Sequence, residues 1–185
     1  MLLDAATFII RTLAELFAGV LLLRFWMQVC RVGGRNPLSE FVQTLTNFAV
    51  LPVRRIVPGL WGLDLTTLVL AWLTLILEIV LLLLLRDGAL APGTVLLMAL
   101  LLLLRLAVYF AIGAIFMQVI LSWVNPSSPF APVIAALTRP LLRPIQRIVP
   151  PIGRVDLSSL VALLILQLIL MVPLAWLGNL IHMGF

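Results

Sequence analysis

The sequence predicts an all-α membrane protein: four transmembrane helices in two parallel tandem repeats, each a helix, an interfacial amphipathic helix with a Pro-rich turn, and a second helix. Three observations predict it. Hydrophobic residues make up 64% of the 185 and charged residues only 10%. Several uncharged apolar stretches approach twenty residues, the number that spans a ~30 Å hydrocarbon core at ~1.5 Å rise per residue. Finally, Pro52-Val-Arg-Arg-Ile-Val-Pro58, followed by Asp64, returns as Pro144-Ile-Gln-Arg-Ile-Val-Pro150, followed by Asp156. Such self-similarity marks one structural unit used twice.

The first predicted span runs from about Ala6 to Val29 and carries Arg11, Glu15 and Arg24. Asp4 stands where a cleavable signal would need a basic start, so the segment reads as a retained span. Gly33-Gly34 ends it. Asn36 then has the form of an N-cap, with Pro37 at the first helical position. Leu38, Phe41, Val42, Leu45, Phe48 and Ala49 recur at helical spacing, while Ser39, Glu40, Gln43, Thr44, Thr46 and Asn47 fill the other face. That pattern predicts a short amphipathic helix lying in the membrane interface. Pro52 and Pro58 should bracket a short turn bearing Arg54 and Arg55. Asp64 should cap the second span, Leu65 to Leu85, which is interrupted only by Glu78.

Arg86-Asp87-Gly88 through Pro92-Gly93 reads as a tight polar turn. A third span follows from about Thr94 to Ser122, carrying Arg105. Ser128-Pro129 should open the second amphipathic helix, with Phe130, Val133, Ile134 and Leu137 on its apolar face. Pro140, Pro144 and Pro150 should cut the next stretch into short turns, since each fixes φ and removes a donor. Asp156 starts the fourth span, which runs to about Ile181 with Pro173 inside it.

The repeats therefore occupy residues 1–88 and 89–185. An even number of spans separates equivalent points, so the copies share one orientation and are related by an axis along the membrane normal. Twelve basic residues against seven acidic ones give a net charge of +5, and every basic residue is arginine. Eight arginines lie in the two long loops, against Arg86 and Arg11 near the other side. The positive-inside rule then places both loops in the cytoplasm and both termini in the periplasm of a bacterial inner membrane. The lone Cys30 excludes an intramolecular disulfide.

Asn36-Pro37-Leu38, the Pro52–Pro58 motif and Asp64-Leu65, with their second copies, are similar to the unit of the YggT (YlmG-like) family of bacterial integral membrane proteins. The resemblance covers almost the whole chain, in the two-repeat form. The second copy departs at Gln146, in place of the first motif arginine, and at Ser128-Pro129-Phe130. The resemblance implies a membrane protein without a settled activity, associated with osmotic tolerance and, in photosynthetic relatives, with membrane-complex assembly and nucleoid distribution.

Two groups of charges stand out. Arg54, Arg55, Arg143 and Arg147 are candidate lipid- or partner-binding residues, because guanidinium groups beside a membrane meet lipid phosphate. Alternatively, Arg55 pairs with Asp64 and Arg147 with Asp156, fixing each loop against its span. Pro52, Pro58, Pro144 and Pro150 frame these motifs. Asp64 and Asp156 have the position of N-caps, satisfying orphan N–H groups at the start of long apolar helices. The second group is intramembrane: Arg11, Glu15, Glu78 and Arg105. Glu15 and Arg105 stand at the same repeat position with opposite charge, and Glu78 lies ~20 Å along its own span from the loop boundary. Charges at that depth must meet one another or face water, so a Glu15–Arg105 pair is expected, with Glu78 close by. Separately, Arg24, Gln28 and Arg31 form a stripe approaching the loop side. Ala14, Ala18 and Gly19, and Ala107, Ala111 and Ala114, offer faces for close helix packing.

No Walker A loop, dinucleotide turn, serine triad or metal-spaced His/Cys cluster is present, so no catalytic residue, metal or cofactor is expected. The basic residues lack aromatic stacking partners, so no nucleic acid is expected either. The reading is a non-enzymatic scaffold or assembly factor. Its expected partners are membrane lipids, other inner-membrane proteins or an insertion or translocation machine, and a second copy of itself. The alternative is a small ion or solute transporter or channel component.

Overall fold

The computed structural model describes residues 1–32, 36–55, 64–86, 88–148 and 157–183, with only the backbone of the last two. The described residues form helices and connecting turns without strands: α1 (Leu2–Val29), α2 (Pro37–Val53), α3 (Leu65–Leu85), α4 (Pro92–Val124), α5 (Ala131–Gln146), α6 (Leu157–Met171) and α7 (Pro173–Met183). Four stretches are long and apolar enough to cross a membrane: α1, α3, α4 and the run Leu157–Ile181, which joins α6 to α7.

α1 and α3 make the most extensive pairing in the bundle. Its core is Ala18, Leu21 and Leu22 of α1, Ala71 and Leu75 of α3, and Ala99 and Leu103 of α4. The alanines are fully buried. Between apolar helices in lipid there is little hydrophobic drive, and small residues let backbones approach for dispersion contacts. At one end, Met27 of α1, Val42 of α2, and Val133 and Leu137 of α5 form a second core. This loop end thus gathers α2 and α5 around the end of α1. A third core joins Ile115 of α4, Leu142 of α5 and Ala162 of α6. The Trp26 indole Nε1 donates to the Leu137 carbonyl at 3.1 Å, a further tie between α1 and α5.

α4 has 33 residues, about 50 Å at ~1.5 Å each, and so exceeds a ~30 Å core. Asn36 caps α2, accepting from the Ser39 N–H at 2.8 Å, with Pro37 in the first turn. Pro173 separates α6 from α7, because it has no N–H for the Ile169 carbonyl. The helix resumes at once, with the Trp176 N–H on the Val172 carbonyl at 2.9 Å.

Several local expectations need correction. Pro52 lies inside α2, and Pro140 and Pro144 lie inside α5, where turns were expected. Pro52 has no N–H for the Phe48 carbonyl, and Phe48 lies on the exposed side of the helix. Pro140 and Pro144 are spaced one turn apart on the exposed side, so the carbonyls they orphan can be solvated. Ser128-Pro129 does not open α5 directly: its hydroxyl accepts from the Phe130 N–H at 3.3 Å, and the helix starts at Ala131. The residue before a proline is pushed from helical geometry, which delays the start.

The faces of α2 also differ from the simple amphipathic expectation. Ser39, Val42, Thr46 and Val50 are buried, whereas Phe41, Leu45, Phe48 and Leu51 are exposed. Ser39 and Thr46 turn towards the bundle beside Val42 and Val50, while Phe41, Leu45 and Leu51 stay outside with Glu40, Gln43 and Thr44, and the exposed Phe48 ring lies 5.6 Å from that of Phe17. The reason lies in α1, which places Arg24 opposite Thr46.

Candidate functional site

Two polar clusters occupy the bundle. The first is at the loop end and grows from α1. Arg24, Met27 and Gln28 lie within about one turn and a half of the helix end, facing the inner side of α2 and the start of α3. The Arg24 Nη1 donates to Thr46 Oγ1 at 2.6 Å and to Asn47 Oδ1 at 2.9 Å. Thr46 passes its own proton to the Val42 carbonyl at 2.7 Å. The Gln28 side-chain oxygen accepts from the Asp64 N–H at 3.1 Å, joining the end of α1 to the start of α3. Asp64 in turn caps α3: its Oδ1 accepts from the Thr66 N–H at 3.2 Å, and the Thr67 hydroxyl donates to its carbonyl at 3.0 Å.

The other Asp64 oxygen, Oδ2, is 3.5 Å from Arg54 Nε. It is buried and, among the described residues, makes no hydrogen bond. Asp64 is only 6% exposed, while the Arg54 side chain is largely in solvent. The pairing expected for the motif therefore forms with Arg54 rather than Arg55: among the described residues no ion pair involves Arg55, which follows α2 on the exposed side. Arg24, Gln28, Ser39, Gln43, Arg54 and Asp64, with Met27, Val32 and Val42, surround a cavity of about 310 Å³.

In the second half, Arg143 occupies the last turn of α5 and Arg147 caps its C-terminus, both exposed. The Gln118 side-chain oxygen is bonded to the Thr138 hydroxyl. Pro58, Pro150 and Asp156 lie outside the described residues.

The second cluster is intramembrane. The Arg11 Nε is 3.0 Å from Glu15 Oε1, one turn away on α1, and 3.9 Å from Glu78 Oε1 on α3. Glu78 is 2% exposed, and its Oε2 makes no hydrogen bond. Arg105 departs from the expected direct pair with Glu15. Its Nη2 donates instead to the Leu174 carbonyl at 3.2 Å, in the first turn of α7. Arg11 already satisfies Glu15 locally, and a guanidinium reaching towards α7 finds a backbone acceptor there. Gly178 makes room for it: a Cβ at that position would lie 3.0 Å from Arg105 Nη2. Arg11, Glu15 and Arg105 nonetheless line one cavity of about 310 Å³ with Leu75, Leu102, Leu106 and Tyr109. Glu78 does not line it; it sits behind Arg11.

Residues that sequence reasoning missed are Thr46 and Asn47 as Arg24 acceptors, Gln28 as the acceptor for Asp64, and Leu174 as the acceptor for Arg105. One signal was available. Thr46 and Thr138 occupy the same repeat position. Among the described residues no group of His, Cys, Asp and Glu has metal-ligating geometry.

Four membrane-length apolar helices and these buried charges define a multi-pass α-helical membrane protein. The CCB3/YggT family profile matches residues 3–85 and 97–177, which is most of both halves. The chain is 36% identical to an uncharacterized protein of Vibrio alginolyticus, over 89% of this chain and 90% of that one. It is 32% identical to the uncharacterized protein YggT of Escherichia coli K12, over 90% and 87% of the two chains. An uncharacterized Pseudomonas aeruginosa protein is 38% identical over 89% and 86%. No solved structure matches. The chain belongs to the CCB3/YggT family.

Proposed function

We propose that this chain is a non-enzymatic scaffold or assembly factor of a bacterial inner membrane. It docks lipids or membrane-protein partners through its basic, proline-rich loop regions, which face the cytoplasm. The parallel-repeat arrangement of the spans, with both termini periplasmic, belongs to the same reading. The observation that carries it is the exposed apolar surface of α2. Phe48 is 73% exposed and shares the outer surface with Phe41, Leu45 and Leu51, immediately before Arg54 and Arg55. An apolar helix face followed by exposed guanidinium groups suits the boundary between acyl chains and phosphates. Arg143 and Arg147 present the same chemistry after α5.

The alternative of a small ion or solute transporter, linked to osmotic tolerance, has less support. The polar cavity at Arg11, Glu15 and Arg105 does not reach Glu78, the buried carboxylate that a pathway would use. The test is photocrosslinking in cells from probes replacing Phe48 and Arg147, with identification of the captured membrane proteins and lipids. The docking reading expects a reproducible set of adducts that Arg55→Gln or Arg147→Gln diminishes. Recovery of no specific adduct, together with conductance in liposomes of purified protein, would overturn it.

A further inference from the structure

The cavity between α1, α2 and the start of α3 contains groups that its own folding does not use up. The Arg24 Nη1 is held by Thr46 and Asn47, which leaves the remaining guanidinium donors beside the cavity. Arg54 approaches only loosely, at 3.5 Å from Asp64 Oδ2. That Oδ2 is a buried carboxylate oxygen without a hydrogen bond, on a residue more than nine-tenths buried. A desolvated acceptor of this kind is costly unless a donor completes it. The cavity therefore offers two cationic groups for an anion, and Arg54 lies against an anionic oxygen that has almost no exposed surface until that side chain moves aside. Ser39, Gln28 and Gln43 add neutral polar groups to the wall.

Depth narrows the occupant. Arg24 stands five residues before the end of α1 at Val29, about 7 Å along the axis at ~1.5 Å per residue. That is roughly the thickness of one headgroup layer, the difference between a ~30 Å core and a ~40–45 Å bilayer shared between two faces. A volume of about 310 Å³ holds roughly ten waters at ~30 Å³ each, enough for a small headgroup. We infer that this cavity binds the headgroup of a zwitterionic phospholipid bearing a primary ammonium. Its phosphate sits against Arg24 and draws Arg54 off Asp64, and the Oδ2 so uncovered accepts from its ammonium. A trimethylated ammonium has no N–H for that oxygen, and a glycerol headgroup brings no positive charge to it.

The second half of the chain supplies a built-in comparison. In the register that pairs Gln28 with Gln118 and Pro52 with Pro144, Arg24 corresponds to Ala114, Ser39 to Ala131, Gln43 to Ala135 and Arg54 to Gln146. The threonine persists as Thr138, which bonds Gln118. The shared frame is kept, and Asp64 has its counterpart in Asp156, while both ligand-facing arginines are confined to the first half. One headgroup site per chain follows.

This site deepens the docking reading and rests on it for its place at the membrane surface. The full chain would be reconstituted in nanodiscs of equimolar phosphatidylethanolamine, phosphatidylglycerol and phosphatidylcholine, then released and weighed by native mass spectrometry. One retained phosphatidylethanolamine per chain is expected, enriched roughly tenfold or more over either competitor, as a charge-assisted contact supplies. Arg24→Gln and Asp64→Asn should each remove that preference. Asparagine still caps a helix, so Asp64→Asn keeps the fold while deleting the charge. Arg86→Gln, at the exposed C-cap of α3, should leave retention unchanged. Equal retention of the three lipids, or a preference that survives Asp64→Asn, overturns the site. Retention lost in Arg86→Gln as fully as in Arg24→Gln also overturns the pocket. Soluble glycerophosphoethanolamine held as tightly as the lipid would assign the cavity to a free solute and overturn the lipid assignment. Loss of the Phe48 crosslinks with this retention intact would instead remove the docking reading and leave the site.

Discussion

At the residue scale, the absence of a side chain at Gly19 sets how near α1 and α4 can come. A Cβ there would lie 2.8 Å from the Phe110 ring, closer than two carbons can sit. Gly19→Leu should destabilise the bundle by about 1–3 kcal/mol through overpacking, read as a lower melting temperature in detergent. Phe110→Ala in the same chain should restore most of the loss, because the clash is with that ring. The buried carboxylate of Glu78 gives a second expectation. Its charge is offset from one side by Arg11, at 3.9 Å, and one of its oxygens has no hydrogen-bond partner. Glu78→Gln should be neutral or mildly stabilising. Arg11→Gln alone should cost about 1 kcal/mol, less than a fully buried pair because the Arg11 side chain is 58% exposed. The double variant should recover towards wild type. Thermal unfolding of the four proteins checks the cycle; an Arg11→Gln loss undiminished by Glu78→Gln would sever the proposed link.

At the element scale, α2 depends on one threonine. Thr46 is fully buried and accepts from Arg24, so Thr46→Val takes an acceptor from a half-buried guanidinium. The expected cost is about 1–2 kcal/mol, seen as faster hydrogen exchange along α2 and reduced thermal stability. Thr138→Val, whose partner is the neutral Gln118, should cost less. A larger loss at Thr138 would contradict the view that charge distinguishes the two halves. The same helix shows what an amphipathic pattern leaves open. Periodicity correctly predicted a helix from Asn36-Pro37 onward, and its cap followed from the preference of asparagine for that position. Which face turned inward was another matter. Phe41, Leu45 and Phe48 are apolar enough to be a core stripe, yet they face outward, because the neighbouring helix contributes Arg24 and the surroundings are lipid.

At the scale of the whole molecule, Arg105 ties the last segment to the bundle. Its hydrogen bond reaches Leu174 just after the break at Pro173, where the helix has lost an internal bond. Arg105→Leu should loosen α7 selectively, with hydrogen exchange rising across 173–183 while α1 and α3 stay protected. Uniform loss of protection would mean that Arg105 supports the entire bundle. The expected Glu15–Arg105 bond across the molecule was a reasonable inference from equal repeat positions and opposite charge. It does not form because Arg11, one turn from Glu15, is available at far lower conformational cost.

What the sequence by itself determined is the set of membrane-length helices, the Asp64 and Asn36 caps, the doubled Pro–Arg–Pro–Asp motif and the burden of intramembrane charge. These rest on composition and on interactions within a few residues, which a linear chain displays directly. Only the tertiary structure decided that Arg54 rather than Arg55 meets Asp64, that Arg24 reaches across to Thr46 and Asn47, that Arg105 turns to a backbone carbonyl, and that a polar cavity opens beside the first half. Each of those choices depends on which of several nearby donors and acceptors a neighbouring helix brings within about 3 Å. That distance is set by packing of Ala18, Ala71 and Gly19 against their neighbours, which no local pattern encodes.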